Sequence, residues 1–388
     1  MKIGISARAK VVNMSTDYIF RSYSSGDEDK ISELLTLVFD GWPRIDSDMS
    51  PNEYWKWKYL ENPIHHSYVT VGLDGKKIIS CHHIMVQKLK IMDSIILGCT
   101  ATDFAVHPEY QGQGISVKTS NPNKIMRQKD DILFSYFITR NPILIKRFSN
   151  PKGLDIRQRF PKKIINLTRI SDIDLHFKNM PIDNQWIIKP GIKILKALNR
   201  LLNAFEYHEG LEIHQIESFG EDINNFLEEI TTGHSFMIIR SADYLNWRYT
   251  YPGIGEYRKY IIKERDRIIG YTVLRINRYN PEYPIGYIIE LVTEKGREDA
   301  AVRLVAKAVE YFDKNNVNIV NYLTVKDHPS IKALARYGFL NSRVKINLYT
   351  TREQGNKLDE LAYVNPSRIY FSWGDIDALP VSARALKV

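Results

Sequence analysis

The hexapeptide Tyr54-Trp55-Lys56-Trp57-Lys58-Tyr59 returns as Tyr244-Leu245-Asn246-Trp247-Arg248-Tyr249, and the matched pairs 54/244, 57/247, 58/248 and 59/249 are all separated by 190. A constant offset means that one structural unit is used twice with its length kept. Each copy follows an amphipathic run, with Ile31, Leu34, Leu35, Val38 and Phe39 at helical spacing in the first and Ile223 to Ile230 in the second. Aromatics interleaved with basic residues can form a stacking surface for nucleic acid, but at helical spacing they more often build a core. Their recurrence beside the same flanking elements favours the core.

The two units repeat further. In the first, Tyr18 to Tyr23 reads as a short strand, and Ser67 to Leu73 and Lys77 to Ile91 read as strands about the Asp74-Gly75 turn. Ile95 to Val106 and Ile132 to Thr139 supply the fourth and fifth strands. In the second, Tyr257 to Lys263 and Ile268 to Arg275 form the matching hairpin, Gly286 to Val292 the matching fourth strand, and Ala300 to Phe312 an amphipathic helix. Ile319 to Val325 then reads as a strand, followed by a helix over Ser330 to Tyr337 that ends at Gly338. This alternation predicts an α+β chain.

One stretch carries chemistry. Cys99 to Val106 is rich in Thr, Phe and Val and ends at Pro108, as a buried strand would. Gln111-Gly112-Gln113-Gly114-Ile115-Ser116 follows, and a helix beginning at Gly114 would converge several backbone N–H groups on one space with the positive end of its dipole. Such a turn is a diphosphate cradle.

The strand, the Val106-His107-Pro108 exit and the Gln-x-x-Gly-x-Ser loop resemble the acetyl-CoA loop of the GNAT superfamily of N-acyltransferases. Ser116 stands where that pattern has Gly or Ala. The resemblance implies two GNAT-like units, each a mixed, mostly antiparallel sheet flanked by helices. It implies acetyl-CoA or another acyl-CoA as co-substrate, with Phe104 and Val106 beside the pantetheine arm and Gln111, Gly112, Gln113, Gly114, Ile115 and Ser116 around the diphosphate. Asn141 stands where the family often reaches the cofactor arm, although Asn before Pro142 is equally a turn starter. Pro122 lies where the family's long helix continues, so a short or broken helix is expected.

The second copy replaces the glycine loop with Thr293-Glu294-Lys295-Gly296-Arg297-Glu298-Asp299, whose three acids would repel a diphosphate. It reads as a degenerate copy that shapes the substrate pocket instead.

Acyl transfer to an amine requires the thioester held in place, an oxyanion stabilised and a proton removed. Asp103 is the carboxylate on the fourth strand and the candidate base or amine-positioning group. Strand alternation predicts Thr102, Phe104 and Val106 on one face and Ala101, Asp103 and Ala105 on the other. His82, His83 and His107 are read as structural histidines. Pro142 to Asn150 holds no tyrosine to protonate the departing thiolate, so the acid is unassigned.

The expected organisation is a loose tail over 1–17, a first GNAT-like domain over 18–160, a basic linker over 161–210 and a degenerate second domain over 211–388. The linker holds one helix, Pro190 to Phe205, with an apolar face suited to packing between the units or to a membrane surface. Asp375 and Asp377 near the end are expected to be solvated acids on a surface turn rather than cation ligands. Cys81 and Cys99, in strand-like runs, read as small buried hydrophobes of a reducing compartment, with no metal expected. No secretory signal or apolar run long enough to cross a bilayer is visible, and a cytoplasmic protein is expected.

With 44% hydrophobic and 26% charged residues the chain is neither disordered nor fibrous, and its net charge of +9 favours an anionic partner. The leading reading is an acetyl-CoA-dependent N-acyltransferase acting on a primary amine of a small molecule such as an amino sugar. Two others stand beside it: a Fem-type transferase using charged tRNA, and a non-catalytic CoA-binding protein.

Overall fold

The computed structural model describes residues 18–139, 144–146, 157–172, 210–342, 344, 346–351, 357–376 and 379. The expected tail over 1–17, Asn141, most of Arg140 to Leu154, the helix Pro190 to Phe205 and Asp377 lie outside the described residues.

The first unit opens with β1 (Ile19–Ser22), α1 (Glu28–Val38) and α2 (Pro51–Tyr59). Ser50 starts α2 with a reciprocal capping box to Glu53 and Pro51 in the first turn, so the aromatic hexapeptide is helical from its first residues. Then come β2 (Ser67–Asp74), β3 (Lys77–Ile91) and β4 (Ser94–Val106), antiparallel in succession, and α3 (Ile115–Lys129), which crosses over to β5 (Ser135–Thr139), parallel to β4.

The second unit repeats this. Strand β8 (Leu211–Ile216), α4 (Ile223–Gly233) and α5 (Ala242–Thr250) lead into β10 (Tyr257–Glu264), β11 (Arg267–Asn277) and β12 (Ile285–Thr293); α6 (Glu298–Lys314) then crosses over to β13 (Ile319–Val325), parallel to β12. Ser241 caps α5 as Ser50 caps α2.

Between and after these runs lie β6 (Arg157–Arg159), β7 (Ile164–Ile170), β9 (Phe236–Ile238), α7 (Ser330–Ala335), β14 (Leu340–Asn341), β15 (Asn347–Thr351) and α8 (Lys357–Glu360). They show that the units exchange strands. Strand β15, late in the chain, lies between β5 and β6 in the first sheet, while β7, from the segment read as a linker, lies between β13 and β14 in the second. Strand β9 adds to the far end of β3. The chain therefore divides into two sheets but not at 160, because the backbone groups of β7 are paired in the second sheet.

Three further sequence expectations change. Helix α3 runs unbroken through Pro122. Thr119, Asn123 and Arg127, one turn apart, are buried; Thr70 donates to the Thr119 carbonyl at 2.5 Å and Asn123 donates to the His82 carbonyl at 2.9 Å. These anchors to the sheet offset the roughly 3 kcal/mol an interior proline costs. Alternation along β4 fails at Asp103, as described below. Asp375 is 4% exposed and ion-paired rather than solvated.

A shared aromatic core joins the halves: Trp55, Trp57 and Tyr59 of α2 with Tyr244, Trp247 and Tyr249 of α5. Cys81 and Cys99 are both buried thiols within the first sheet.

Candidate active site

The cradle lies at the exit of β4. Pro108–Tyr110 forms one 3-10 turn, then Gly112 at φ +78° and Gly114 at φ +73° turn the chain into α3. Both φ values lie in the left-handed region that glycine reaches without cost, and a Cβ at either would meet nothing within 4 Å. The loop is open to solvent. Gly114 is the N-cap of α3, no side chain caps that end, and its first turn holds no acid. Gln111 Nε2 donates to the Val106 carbonyl at 3.2 Å and Gln113 Nε2 to the Glu109 carbonyl at 3.2 Å, so both glutamines hold the loop in shape. Ile115 is buried and anchors the first turn, whereas Ser116 is exposed. These residues fit a diphosphate: uncapped amides, positive dipole, no carboxylate and no Cβ in the way.

The corresponding end of α6 is different. Glu298 and Asp299 occupy its first turn, and Arg297 is clamped between Asp299 and Glu264 at 2.9 and 3.0 Å. Its positive end already has its anions, which agrees with a second copy that lacks the grip.

Strand β4 opens away from β5 beside the cradle. Their ladder consists of Cys99↔Ser135 and Thr100↔Tyr136, and among the described residues Ala101 to Val106 have no ladder partner on that side. A bulge accompanies the opening: Cys81 pairs with Ala105 but His83 pairs with Thr102, so Asp103 and Phe104 together face His82. Asp103 takes φ +34°, which carries it to the helix side beside Thr102 and leaves Phe104 41% exposed against the His82 ring. Phe104 and Val106 thus flank the opening, while Asp103 does not face it.

The Asp103 carboxylate receives Lys58 Nζ at 2.6 Å, Trp42 Nε1 at 2.9 Å and the Tyr59 hydroxyl. Burial alone would raise its pKa; Lys58, His83 and the hydrogen bonds from Lys58 and Tyr59 outweigh that and hold it below the usual carboxylate range. Behind it, His83 Nδ1–H donates to the Asp103 carbonyl at 2.8 Å and Nε2 accepts from Trp55 at 2.8 Å. Burial lowers His83 to about 4 and His82 to about 3, so both rings are neutral near pH 7. An ionised carboxylate with three donors and a lowered pKa is a weak proton acceptor and a strong clamp.

Sequence reasoning missed Lys58, Tyr59, Trp42 and His83 as a cluster, although the 190-residue repeat contained the signal. Ser80 pairs with Val106, and Gly270, which is 190 residues on, pairs with Thr293; three residues back along each fourth strand lie Asp103 and Glu290. Glu290 sits at its own bulge, fully buried, and accepts from Tyr249, the repeat partner of Tyr59, at 2.8 Å. Both units hold a carboxylate at a bulge, Asp103 within it and Glu290 beside it, against the tyrosine near the end of the aromatic helix. Lys58 serves the first; the second uses Arg240 at 3.0 Å, which also binds Asp375 at 2.6 Å.

Two sheets with these crossovers and a β4 that opens at a bulge define the GNAT fold in two units. No family model and no curated protein matches the sequence. Solved structures share the fold at low identity. They include a protein of Enterococcus faecalis V583 described as a probable N-acyltransferase (TM-score 0.58, 11% identity, 87% of this chain and 74% of that one). A GCN5-related N-acetyltransferase from Anabaena variabilis matches with TM-score 0.58 and 12% identity over 86% of this chain and 72% of that one. Saccharomyces cerevisiae N-myristoyltransferase with bound myristoyl-CoA matches with TM-score 0.57 and 12% identity over 87% and 79%. Asn141 lies outside the described residues, and no helix among them is long and apolar enough to cross a membrane.

Proposed function

We propose that the chain is an acyl-CoA-dependent N-acyltransferase, using acetyl-CoA and acting on a primary amine of a small molecule such as an amino sugar. The observation that carries this reading is the uncapped, acid-free start of α3 at Gly114, placed where β4 parts from β5. When bound, the acyl-CoA supplies an activated thioester. Gln111 and Gln113 keep the loop open, the amides of Gly114 to Ser116 take the diphosphate, and the backbone edge of Ala101 to Val106, which has no ladder partner on the β5 side among the described residues, takes the arm as an added strand would. Asp103 acts as a positioning residue: clamped by Lys58, Tyr59 and Trp42, it holds the bulge that turns the following backbone toward the opening. The amine binds in its neutral form or loses its proton to water.

Thermal melting of the full chain with acetyl-CoA and with myristoyl-CoA tests the cradle, and thiol release over a panel of amines tests the transfer. A rise in melting temperature with turnover of an amino sugar is expected. An unchanged melt with both thioesters would end this reading, and binding without turnover on any amine would reduce it to a CoA-binding protein.

A further inference from the structure

The loop between α1 and α2, residues 39–50, carries Trp42, whose Nε1–H donates to Asp103 Oδ1 at 2.9 Å and whose ring packs edge-on against Tyr54 at 5.2 Å. Beyond Trp42 the loop leaves its own unit. Among the described residues, the hydrogen bonds that 45–49 make outside the loop all go to the second unit. Ser47 Oγ donates to the Gly253 carbonyl at 2.7 Å, and the Asp48 amide donates to the same carbonyl at 2.9 Å. Asp46 is held hardest. Arg275 Nη2 donates to its carboxylate at 2.7 Å and to its carbonyl at 2.9 Å, and the Arg278 amide donates to the other carboxylate oxygen at 2.9 Å.

Arg275 is fully buried on β11 and also donates from Nη1 to the Ile254 carbonyl at 2.9 Å. Gly255, at φ +100°, lets these segments meet: a Cβ there would stand 2.5 Å from the guanidinium and 2.6 Å from the Asp46 carbonyl. A buried guanidinium engaged by one carboxylate and two carbonyls is a rigid anchor, since releasing any partner leaves charge or donors uncompensated. The second unit uses its own loop in the same way. Between α4 and α5, β9 leaves its sheet to pair with β3 of the first unit. Both loops also return to the carboxylate of their own fourth strand, through Trp42 to Asp103 and through Arg240 to Glu290 at 3.0 Å.

We propose that the second unit sets the geometry of the transfer site through this loop: Arg275 holds Asp46, and the loop so held keeps Trp42 on the Asp103 carboxylate and the bulge of β4 in place. Arg275 and Asp46 are positioning residues that act through Trp42. The effect on rate rests on the acyltransferase reading, whereas the tie itself does not. Thioester binding is outside it, because the cradle is shaped by Gln111 and Gln113 on the Val106 and Glu109 carbonyls.

The test is Asp46→Ala in the full chain, beside Asp313→Ala as a matched control. Asp313, like Asp46, is a carboxylate 30% exposed that holds a buried arginine of the second sheet, Arg169 at 2.7 Å, and among the described residues it makes no hydrogen bond to the loop. Both variants should keep the wild-type circular dichroism and melt lower than the wild type. In the proton–nitrogen spectrum of the labelled chain without thioester, the Trp42 indole resonance, assigned by Trp42→Phe, should move in Asp46→Ala and stay in Asp313→Ala. Thiol release from acetyl-CoA with glucosamine, or with the fastest amine of the panel, should fall about tenfold or more in Asp46→Ala, with the thioester KM within about twofold, and hold near wild type in Asp313→Ala. An unmoved Trp42 resonance, full rate in Asp46→Ala or an equal loss in both variants would overturn the proposal. If Asp46→Ala does not fold, Asp46→Asn, which keeps one acceptor and loses the ion pair, is read in the same way. Absence of turnover in the wild type ends the acyltransferase reading instead, and the resonance then decides the tie on its own.

Discussion

Trp57 and Trp247 each donate the indole N–H to the other's backbone carbonyl, at 3.0 and 3.1 Å, with their rings stacked 5.0 Å apart. A reciprocal contact between repeat-related residues marks a local two-fold axis, the arrangement expected of an isologous interface. Here the interface lies within one chain. Trp247→Phe keeps most of the ring contact but leaves the Trp57 carbonyl unpaired. It should cost about 1–3 kcal/mol, read as a fall in the urea midpoint. The double variant with Trp57→Phe should cost less than the sum of the two singles; additive losses would mean that the two bonds do not act as a pair.

The cradle has a sharper signature. Gly114→Glu introduces a side chain at φ +73° and a negative charge at the helix start, in open space where nothing else is displaced. The variant should fold, with its ligand-free melt lowered by the roughly 1–2 kcal/mol a side chain costs in the left-handed region, and lose the stabilisation by acetyl-CoA. In the wild type that stabilisation should weaken as salt is raised from about 0.05 to 0.5 M, since a partly exposed charge contact is screened. A salt-independent shift would place the nucleotide elsewhere.

Asp103 separates a base from a clamp. If it were the base, Asp103→Asn would remove the acid limb of the rate profile; as a clamp, the variant should lose rate and stability with the profile in place. Its folded pKa lies below the unfolded value of about 3.9, so its contribution is complete above that value and is lost as pH falls through the folded pKa. Acid unfolding followed between about pH 5 and 2 should be steeper for the wild type than for Asp103→Asn.

Asp375 has the opposite sign. Burial and the nearby Glu290 raise it to about 6 despite the attraction of Arg240, because two carboxylates share one guanidinium and leave one negative charge in excess. The folded state then holds the proton more tightly than the unfolded chain. The stability this confers is full below about 3.9 and is lost as pH rises through about 6. Urea midpoints at pH 5 and pH 7.5 should fall for the wild type and change less for Asp375→Asn; equal changes would show that the excess charge is not held there.

Periodicity and turn chemistry located β1 to β5 and β10 to β13, because hairpin signals such as Asp74-Gly75 act over a few residues, but missed β6, β7, β8, β9, β14 and β15, most of which are short or borrowed by the other unit's sheet. They failed where the outcome depends on distant groups. Pro122 reads as a break until the anchors of Thr119 and Asn123 are seen, and Asp375 reads as solvated until Arg240, far off in sequence, is brought against it. The bulge at Asp103 has no local signal at all: a φ of +34° at a non-glycine residue is held only because Lys58, Tyr59 and Trp42 converge on its carboxylate.

The sequence by itself determined that one unit occurs twice and that only the first copy carries a glycine turn free of acids, since both facts are written in residue type and spacing. Tertiary structure decided the exchange of β7 and β15 between the sheets and the clamping of Asp103 as an ion by Lys58, Tyr59 and Trp42. Each of these depends on which groups the fold brings together from distant parts of the chain, and the free energy of a buried charge or an open strand edge is set by those neighbours rather than by the residue that carries it.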